Sequence, residues 1–398
     1  TADGSPVSVW TPTSGANQRF TVVDEHVLRT EPVEVFTVPG RPPVLPDHVT
    51  PVYRDGTRGE LPVRWALPPD SRWDRPGTVR VRGTATDPLG RLVRAEAVVT
   101  VDTITATVPG RAKTYVGGRP ELPDTVVGVG AHGGRPDLPV TWEEVPDEAF
   151  ERPGVVTVPG VARIVDGGTV PATVRVQVTE PVETNTALED GVEVSATFTE
   201  SGYSPAGLRN GDRTDKAWSN WKPSDKNPSD TITFTLPARR DLTRVVTYFY
   251  RDGTNISFPA SLRVQVPDDD GRWVDVSDEI AVDPDAQPAP VTDVSMSAAT
   301  DAVRVVMTAR PDGYMTVSEI ELYAKAPGVS SDARAASIEV DGVPIPDFTP
   351  DTTTYQVVGD PGEVTATPVD PYATVDVRTE DPSTVVVTVT SEDRTASR

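Results

Sequence analysis

The chain has no cysteine among its 398 residues. Disulfides, thiolate metal sites and cysteine nucleophiles are therefore excluded. Histidine is nearly as scarce: His26, His48 and His132 stand more than twenty residues apart in three loop-like contexts. No apolar run approaches the roughly 20 residues needed to cross a bilayer, and no signal peptide opens the chain. There is no Gly-x-Ser-x-Gly elbow, HExxH, phosphate loop or dinucleotide fingerprint. Clusters of Lys and Arg are also missing, and the formal net charge is −23. That balance argues against nucleic acid and against an anionic membrane surface, both of which draw on basic clusters. Carboxylates are plentiful, 60 in all, but most sit in turns such as "PDDDG" and "DPDAQP". A hydrolase site needs two of them at fixed separation in a groove, and nothing here suggests catalysis within this chain.

Proline is present at 41 of 398 positions, about twice average usage, with 30 glycines beside it. Apolar residues are grouped in short β-branched runs: "TVRVRGTA" (78–85), "TVRVQVT" (173–179), "TITFTL" (231–236), "VRVVMTA" (303–309) and "STVVVTVTS" (383–391). Each is bounded by Gly, Pro or Asp, which is the signal of a strand. No dozen-residue stretch carries a 3.6-residue period. The length suggests two to four domains, and the pattern predicts an all-β chain of sandwich modules.

An internal repeat sets the organisation. "LPD" at 45–47 returns at 122–124, "LPVRW" at 61–65 as "LPVTW" at 138–142, and "RPG" at 75–77 at 152–154, each pair 77 residues apart. Pro46 and Pro123 suit the edge of a strand, where no N–H is needed. Pro76-Gly77 and Pro153-Gly154 suit a turn. Trp65 and Trp142 are expected as large core anchors.

These repeats, residues 31–102 and 103–180, resemble the bacterial immunoglobulin-like domain of secreted glycoside hydrolases and surface proteins. The resemblance implies spacers without chemistry, arranged as beads on a string. The opening "ADGSPVSVWTPTSGANQRFTV" (2–22) is similar to the closing part of a ricin-type β-trefoil lectin subdomain through Gly4, Pro6, Val7, Trp10, Asn17 and Gln18. That implies a sugar stacked on Trp10 and bonded by Asn17, within a partial trefoil segment and linker over residues 1–30. The pattern departs at Ser8, where the family has Gln, and at Phe20, where it has Trp; Trp10 and Phe20 also suit a purely structural role. Residues 181–326 resemble the discoidin, or coagulation-factor type C, domain, a galactose-binding-like jelly-roll sandwich. The residues that carry this are an Asn-Gly turn at 210–211, Trp218 and Trp221, "ITFTL", "VVTYFY", Trp273 before "VDVS", and the closing "EIELY". Residues 327–398, with "DGVPIPDFTPDTTTYQVV" and "VTVTSEDRT", resemble a cadherin-like β-sandwich whose last strand is missing. Both chain ends are thus expected to be trimmed.

The discoidin resemblance implies a structural Ca²⁺ held by Asn210, Asp212 and Asp215 and completed by Glu319. A loop of oxygen donors suits that ion; Asp212 and Asp215 equally suit the capping of turns. Lys216 stands where the family has Thr. The same end of the module gathers Tyr203, Trp221, Lys222, Arg251, Asn255 and Phe258, an aromatic platform with hydrogen-bonding groups of the kind that sugars need. Trp218 reads as core and Trp221 as either core or platform. The function expected is that of a non-catalytic accessory part of a secreted carbohydrate-active enzyme, extracellular, which binds polysaccharide or glycan. It would tether an upstream glycoside hydrolase domain, carried on this chain or on an associated one. The rival is an adhesive cell-surface protein with no enzyme.

Overall fold

A computed structural model describes residues 26–398 apart from 55, 58 and 358–361. The Trp10 and Asn17 segment lies outside the described residues. Among them there is no α-helix, only strands and short 3-10 turns, and no helix long and apolar enough to cross a membrane. Two compact units divide the chain: the first holds residues up to Gly110 with Leu122–Glu143 and Val158–Val174, the second Arg111–Glu121, Glu144–Thr157 and Arg175–Arg398.

In the first unit, β1 (Val33–Thr37), β2 (Leu61–Ala66), β3 (Gly77–Thr86) and β4 (Leu92–Val101) form a sheet in the order β1-β4-β3-β2, extended by His48–Val49. β1 runs parallel to β4 and the rest are antiparallel. The next repeat contributes β5 (Ile104–Thr107), β7 (Thr125–Gly130), β8 (Asp137–Trp142) and the later part of β9 (Gly154–Arg163). β6 (Gly110–Tyr115) and β10 (Thr169–Thr179) complete its strands. The repeat is obeyed at atomic detail: the Trp65 and Trp142 indoles donate 2.7 Å hydrogen bonds to the Pro46 and Pro123 carbonyls, respectively. Both rings, however, are half-buried at the rim of the core. The deepest aromatic of each repeat is instead Trp73 or Phe150, again 77 apart, at the end of a 3-10 turn. Strand alternation puts Trp65 on the inward face with Leu61 and Val63, and Trp142 with Leu138 and Val140. Each ring packs on the core but, near the end of its strand, stays half-exposed.

Between the repeats Asp102 is 1% exposed. Its carboxylate accepts N–H bonds from Thr103 (2.7 Å), His132 (2.9 Å) and Gly134 (2.9 Å), so this junction is fastened and not a free string.

In the second unit, the sandwich is built from β11 (Pro181–Asn185), β12 (Glu193–Ala196), β13 (Trp218–Ser219), β14 (Ser229–Phe249), β15 (Ser261–Pro267), β16 (Trp273–Asp275), β17 (Val291–Thr308) and β18 (Thr316–Pro327). The order is β11-β18-β14-β17-β15-β16, with β12 on β14 and β13 on β18. β14 breaks register between Thr235 and Arg240 and again near Leu242. Its first half therefore pairs with β12 and its second half with β18, and one long strand serves both layers. Trp218, Phe234, Phe258, Met307, Met315 and Ile320 fill the core.

The last module packs a three-stranded sheet, around β19 (Ala335–Val340) and β20 (Val364–Pro368), near the hairpin β21 (Thr374–Asp381) and β22 (Thr384–Thr390). A cavity of about 630 Å³ lies between them, lined by Ile338, Phe348, Val364, Val385 and Val387 among others. This module is tied to β6: Lys113 Nζ contacts the Glu392 carboxylate, donates to the Gly328 carbonyl at 3.3 Å and sits 4.7 Å over the Tyr372 ring. Arg175 Nη2 adds bonds to the Pro368 and Val369 carbonyls at 3.0 and 2.7 Å.

Candidate functional site

Trp218 and Trp221 have opposite fates. Trp218 is fully buried, and its indole N–H bonds Thr199 Oγ1 at 3.0 Å and the Phe198 carbonyl at 3.2 Å. Between the two tryptophans, Asn220 acts as a staple. Its N–H donates to the Met315 carbonyl at 3.1 Å, its Oδ1 accepts from Met315 N–H at 2.5 Å, and its Nδ2 donates to Asp230 at 2.8 Å. Trp221 leaves the sandwich one residue later with 42% of its surface exposed; the antiparallel register that sets Ser219 opposite Thr316 and Asn220 opposite Met315 brings it opposite Tyr314.

Tyr314 belongs to a polar cluster drawn from three loops. Asp252 Oδ2 accepts from Lys216 Nζ at 2.8 Å and from the Tyr314 hydroxyl at 3.2 Å. Asn255 Nδ2 donates to the same hydroxyl at 3.2 Å. Lys226 lies 5.2 Å over the Tyr314 ring and Lys216 5.1 Å over the Tyr203 ring. Glu200 stands 3.9 Å from Lys216 with its Oε2 buried and without a hydrogen-bond partner. Lys216, first by its hydrogen bond and then by its charge, holds Asp252 below the ordinary carboxylate range. Burial opposes the charge on Lys216, but Asp252 outweighs it and raises the ammonium. Burial and Asp252 together raise the Tyr314 hydroxyl. The result is a fixed array of donors and acceptors beside an exposed indole.

Of the residues expected here, Tyr203 and Asn255 join this array. Lys222 turns back to Asn227 Oδ1 at 2.6 Å and covers the Phe198 ring. Arg251 is taken up by the carbonyls of Pro288 (2.8 Å), Ala286 (2.7 Å) and Pro284 (3.2 Å). Phe258 is core, edge-on to Phe249. Asp252, Tyr314, Lys226 and Glu200 were not singled out in the sequence; only the "YRDG" turn next to "TNIS" marks one of them locally.

In the loop after Leu208, Asn210 Oδ1 accepts from Asp212 N–H at 2.7 Å, and Asp212 Oδ1 accepts from Thr214 N–H and hydroxyl at 2.8 and 2.6 Å. Those two side chains cap the turn. Asp215 and Glu319 differ. Glu319 is fully buried and accepts N–H bonds from Gly211 at 3.0 Å and Asn210 at 3.2 Å. Burial nevertheless pushes its carboxyl up to about 7, and Glu321 and Asp215 repel it further. Asp215 Oδ1 is buried with no hydrogen-bond partner. Lys216 points away, to Asp252. Among the described residues no Lys or Arg pairs with Glu319 or Asp215, and no three His, Cys, Asp or Glu side chains converge as a metal site. Two facing carboxylates with an orphaned buried oxygen do fit a hard cation, which also accepts carbonyl oxygens.

Comparison with known proteins shows which domains these are. The F5/8 type C domain family matches residues 192–322, and the bacterial Ig-like domain (group 4) family matches residues 30–88 and 101–167. The chain thus contains two bacterial Ig-like domains and an F5/8 type C domain. A curated relative is an exo-beta-1,6-galactobiohydrolase of Bifidobacterium longum subsp. longum, 29% identical over 197 residues, covering 44% of this chain and 13% of that protein. The chain therefore spans a small part of the relative's length. Similar solved structures include the family 32 carbohydrate-binding module of Clostridium perfringens NanJ in complex with galactose (TM-score 0.31, 17% identity, 36% of this chain and 99% of that one). Another is a Clostridium perfringens module in complex with GalNAc-beta-1,3-galactose (TM-score 0.31, 13% identity, 35% and 100%).

Proposed function

We propose that this chain is a glycan-binding accessory region of a secreted carbohydrate-active enzyme, with Trp221 as the sugar platform. The observation that carries the reading is the exposed Trp221 indole beside the Lys216–Asp252–Tyr314–Asn255 array, within a domain of F5/8 type C type. An aromatic face takes the C–H side of a pyranose, and fixed donors and acceptors read its hydroxyls. The relative named above makes β-1,6-linked galactan the first glycan to test. The two Ig-like domains act as spacers, and a catalytic domain carried elsewhere on the protein or on an associated chain gains local substrate concentration from the tether.

A calcium ion is part of this reading. Asp215 and Glu319 would hold it, and it would neutralise two carboxylates that burial otherwise disfavours. Its role is to fix the 210–216 loop from which Lys216 reaches Asp252.

The test is isothermal titration of the full chain with β-1,6-galacto-oligosaccharides and with galactose. Trp221→Ala should abolish the binding heat while the thermal midpoint stays within 1–2 °C, about the shift expected of a surface change under 0.5 kcal/mol. Unchanged affinity in that variant would falsify Trp221 as the platform.

A further inference from the structure

A second constellation lies on the outer face of the same sandwich, and the loop site makes no use of it. Strand register aligns Ser195, Thr233, Arg304, Gln265 and Asp275 in one row across β12, β14, β17, β15 and β16. At about 4.8 Å between strands the row spans roughly 19 Å. Its residues alternate with core residues such as Phe234, Val303, Val305 and Val264, so the row lies on the face away from that core, with Gln265 itself buried beneath its neighbours. Three members are locked in series: Arg304 Nε donates to Gln265 Oε1 at 2.6 Å, and Gln265 Nε2 donates to Asp275 Oδ1 at 2.6 Å. The Arg304 guanidinium lies 4.4 Å over the Trp273 ring, which continues the planar surface onto an aromatic.

The row is not self-contained. Among the described residues Arg304 forms no ion pair, in a chain where Asp plus Glu number 60 against 37 Lys plus Arg. Arg263 beside it is ion-paired with Asp275 at 3.1 Å through a buried Nε that makes no aligned hydrogen bond. Burial and then Arg263 pull the Arg304 guanidinium below its ordinary value, against the attraction of Asp275. Among the described residues Arg304 donates through Nε to Gln265, and its remaining guanidinium N–H groups, beside a tryptophan, suit oxygen acceptors on a flat partner.

We propose that this face is a second glycan-binding surface, which takes a neutral polysaccharide chain laid across the strands. Hydroxyls of the chain accept from Arg304 and Arg263 and meet Thr233 and Ser195, beside the stacked Arg304–Trp273 pair. Charge selects the class: the net charge of −23 and Asp268, Asp269 and Asp270 just before Trp273 oppose a polyanion, whatever the local guanidinium offers. The surface is distinct from the Trp221 end. β15 runs from Ser261, opposite Thr308 near that end, to Pro267, opposite Trp273, about 20 Å along the strand. Two separated contacts on one polymer raise retention by avidity.

Affinity gel electrophoresis of the full chain tests this, at 0.15 M salt, with gels containing soluble β-1,6-galactan, arabinogalactan, dextran or alginate. Arg304→Met keeps an apolar cover over Trp273 but removes the donors, and Arg263→Gln is the second variant; circular dichroism confirms that each is folded. At least a fivefold loss of retardation by a neutral polymer is expected in both, and retardation that survives in Trp221→Ala should vanish in Trp221→Ala/Arg304→Met. Full retardation of both single variants overturns the proposal, as does retardation by alginate alone. Loss of all retardation in Trp221→Ala also overturns it while leaving the Trp221 reading intact. Retardation insensitive to Trp221→Ala but lost in Arg304→Met supports it and removes Trp221. No retardation of the wild-type chain by any neutral polymer sinks both.

Discussion

The indole of Trp142 occupies the space in which a Cβ on Gly160 would stand. Such a Cβ would come within 2.4 Å of Cε3, and in the preceding repeat a Cβ on Gly83 would come within 2.6 Å of the same atom of Trp65. The glycines are what let each half-buried tryptophan lie flat on the neighbouring strand and reach a proline carbonyl.

Gly83→Ala and Gly160→Ala should each destabilise the chain by about 2 kcal/mol, the usual cost of overpacking. Urea denaturation followed by tryptophan fluorescence would show it, and midpoints equal to wild type would contradict the close approach.

The two tryptophans of the 218–221 segment should separate cleanly. Trp218→Ala empties a fully buried site and is expected to cost about 3–5 kcal/mol, whereas Trp221→Ala should change stability by less than about 0.5 kcal/mol. Thermal melts of both variants decide it: similar losses would mean that Trp221 is structural after all.

Glu319 makes stability depend on pH in an unusual sense. Its carboxyl titrates near 7 in the folded chain against 4.5 for the ordinary group. The folded state therefore holds this proton more tightly than the unfolded one. The associated stability is present in full below about pH 4.5 and is lost as pH rises through 7. The difference amounts to roughly 3 kcal/mol. In EDTA, Glu319→Gln should flatten this part of the pH–stability profile, measured by urea midpoints from pH 4.5 to 8. A wild-type profile without a decline across that window would contradict the assignment.

Added calcium should offset that decline. At pH 7.5 a millimolar excess is expected to raise the thermal midpoint, and the effect should disappear in Asp215→Asn/Glu319→Gln. An identical calcium-induced shift in the double variant would place the ion elsewhere.

Lys113 should behave as a clamp. Lys113→Ala removes the Glu392 and Gly328 contacts, a loss of about 2 kcal/mol for charged hydrogen bonds. Faster proteolytic release of the segment after residue 328 is the expected outcome, and an unchanged rate would show that the Arg175 bonds suffice.

Much of this organisation was legible because its signals are local. Alternating Val and Thr between Pro, Gly and Asp mark strands at two-residue period, and the 77-residue offset marks the repeated module. Size alone, however, made Trp65 and Trp142 look like core. Strand parity does face them inward, but they pack at the rim, and the deepest aromatic positions belong to Trp73 and Phe150, which follow turn-forming "PPDSR" and "PDEA" stretches that carry no strand pattern. The polar array beside Trp221 was harder still. Lys216, Asp252 and Tyr314 are 36 and 62 residues apart in the chain and meet only because β13, β14 and β18 end at the same edge of the sandwich. Arg251 and Lys222 have the right chemistry and the right neighbourhood, yet backbone carbonyls and Asn227 claim them.

By itself, then, the sequence determined an all-β chain without thiol, membrane-spanning or catalytic signatures, its repeat, and the strands of its jelly roll, because composition and periodicity act over a few residues. Tertiary structure alone decided that Asp252 gathers Lys216 and Tyr314, that Glu319 is buried where Asp215 repels its charge, and that Arg304 stacks over Trp273. Each of these depends on side chains far apart in sequence, whose burial and register are set only when the two sheets close.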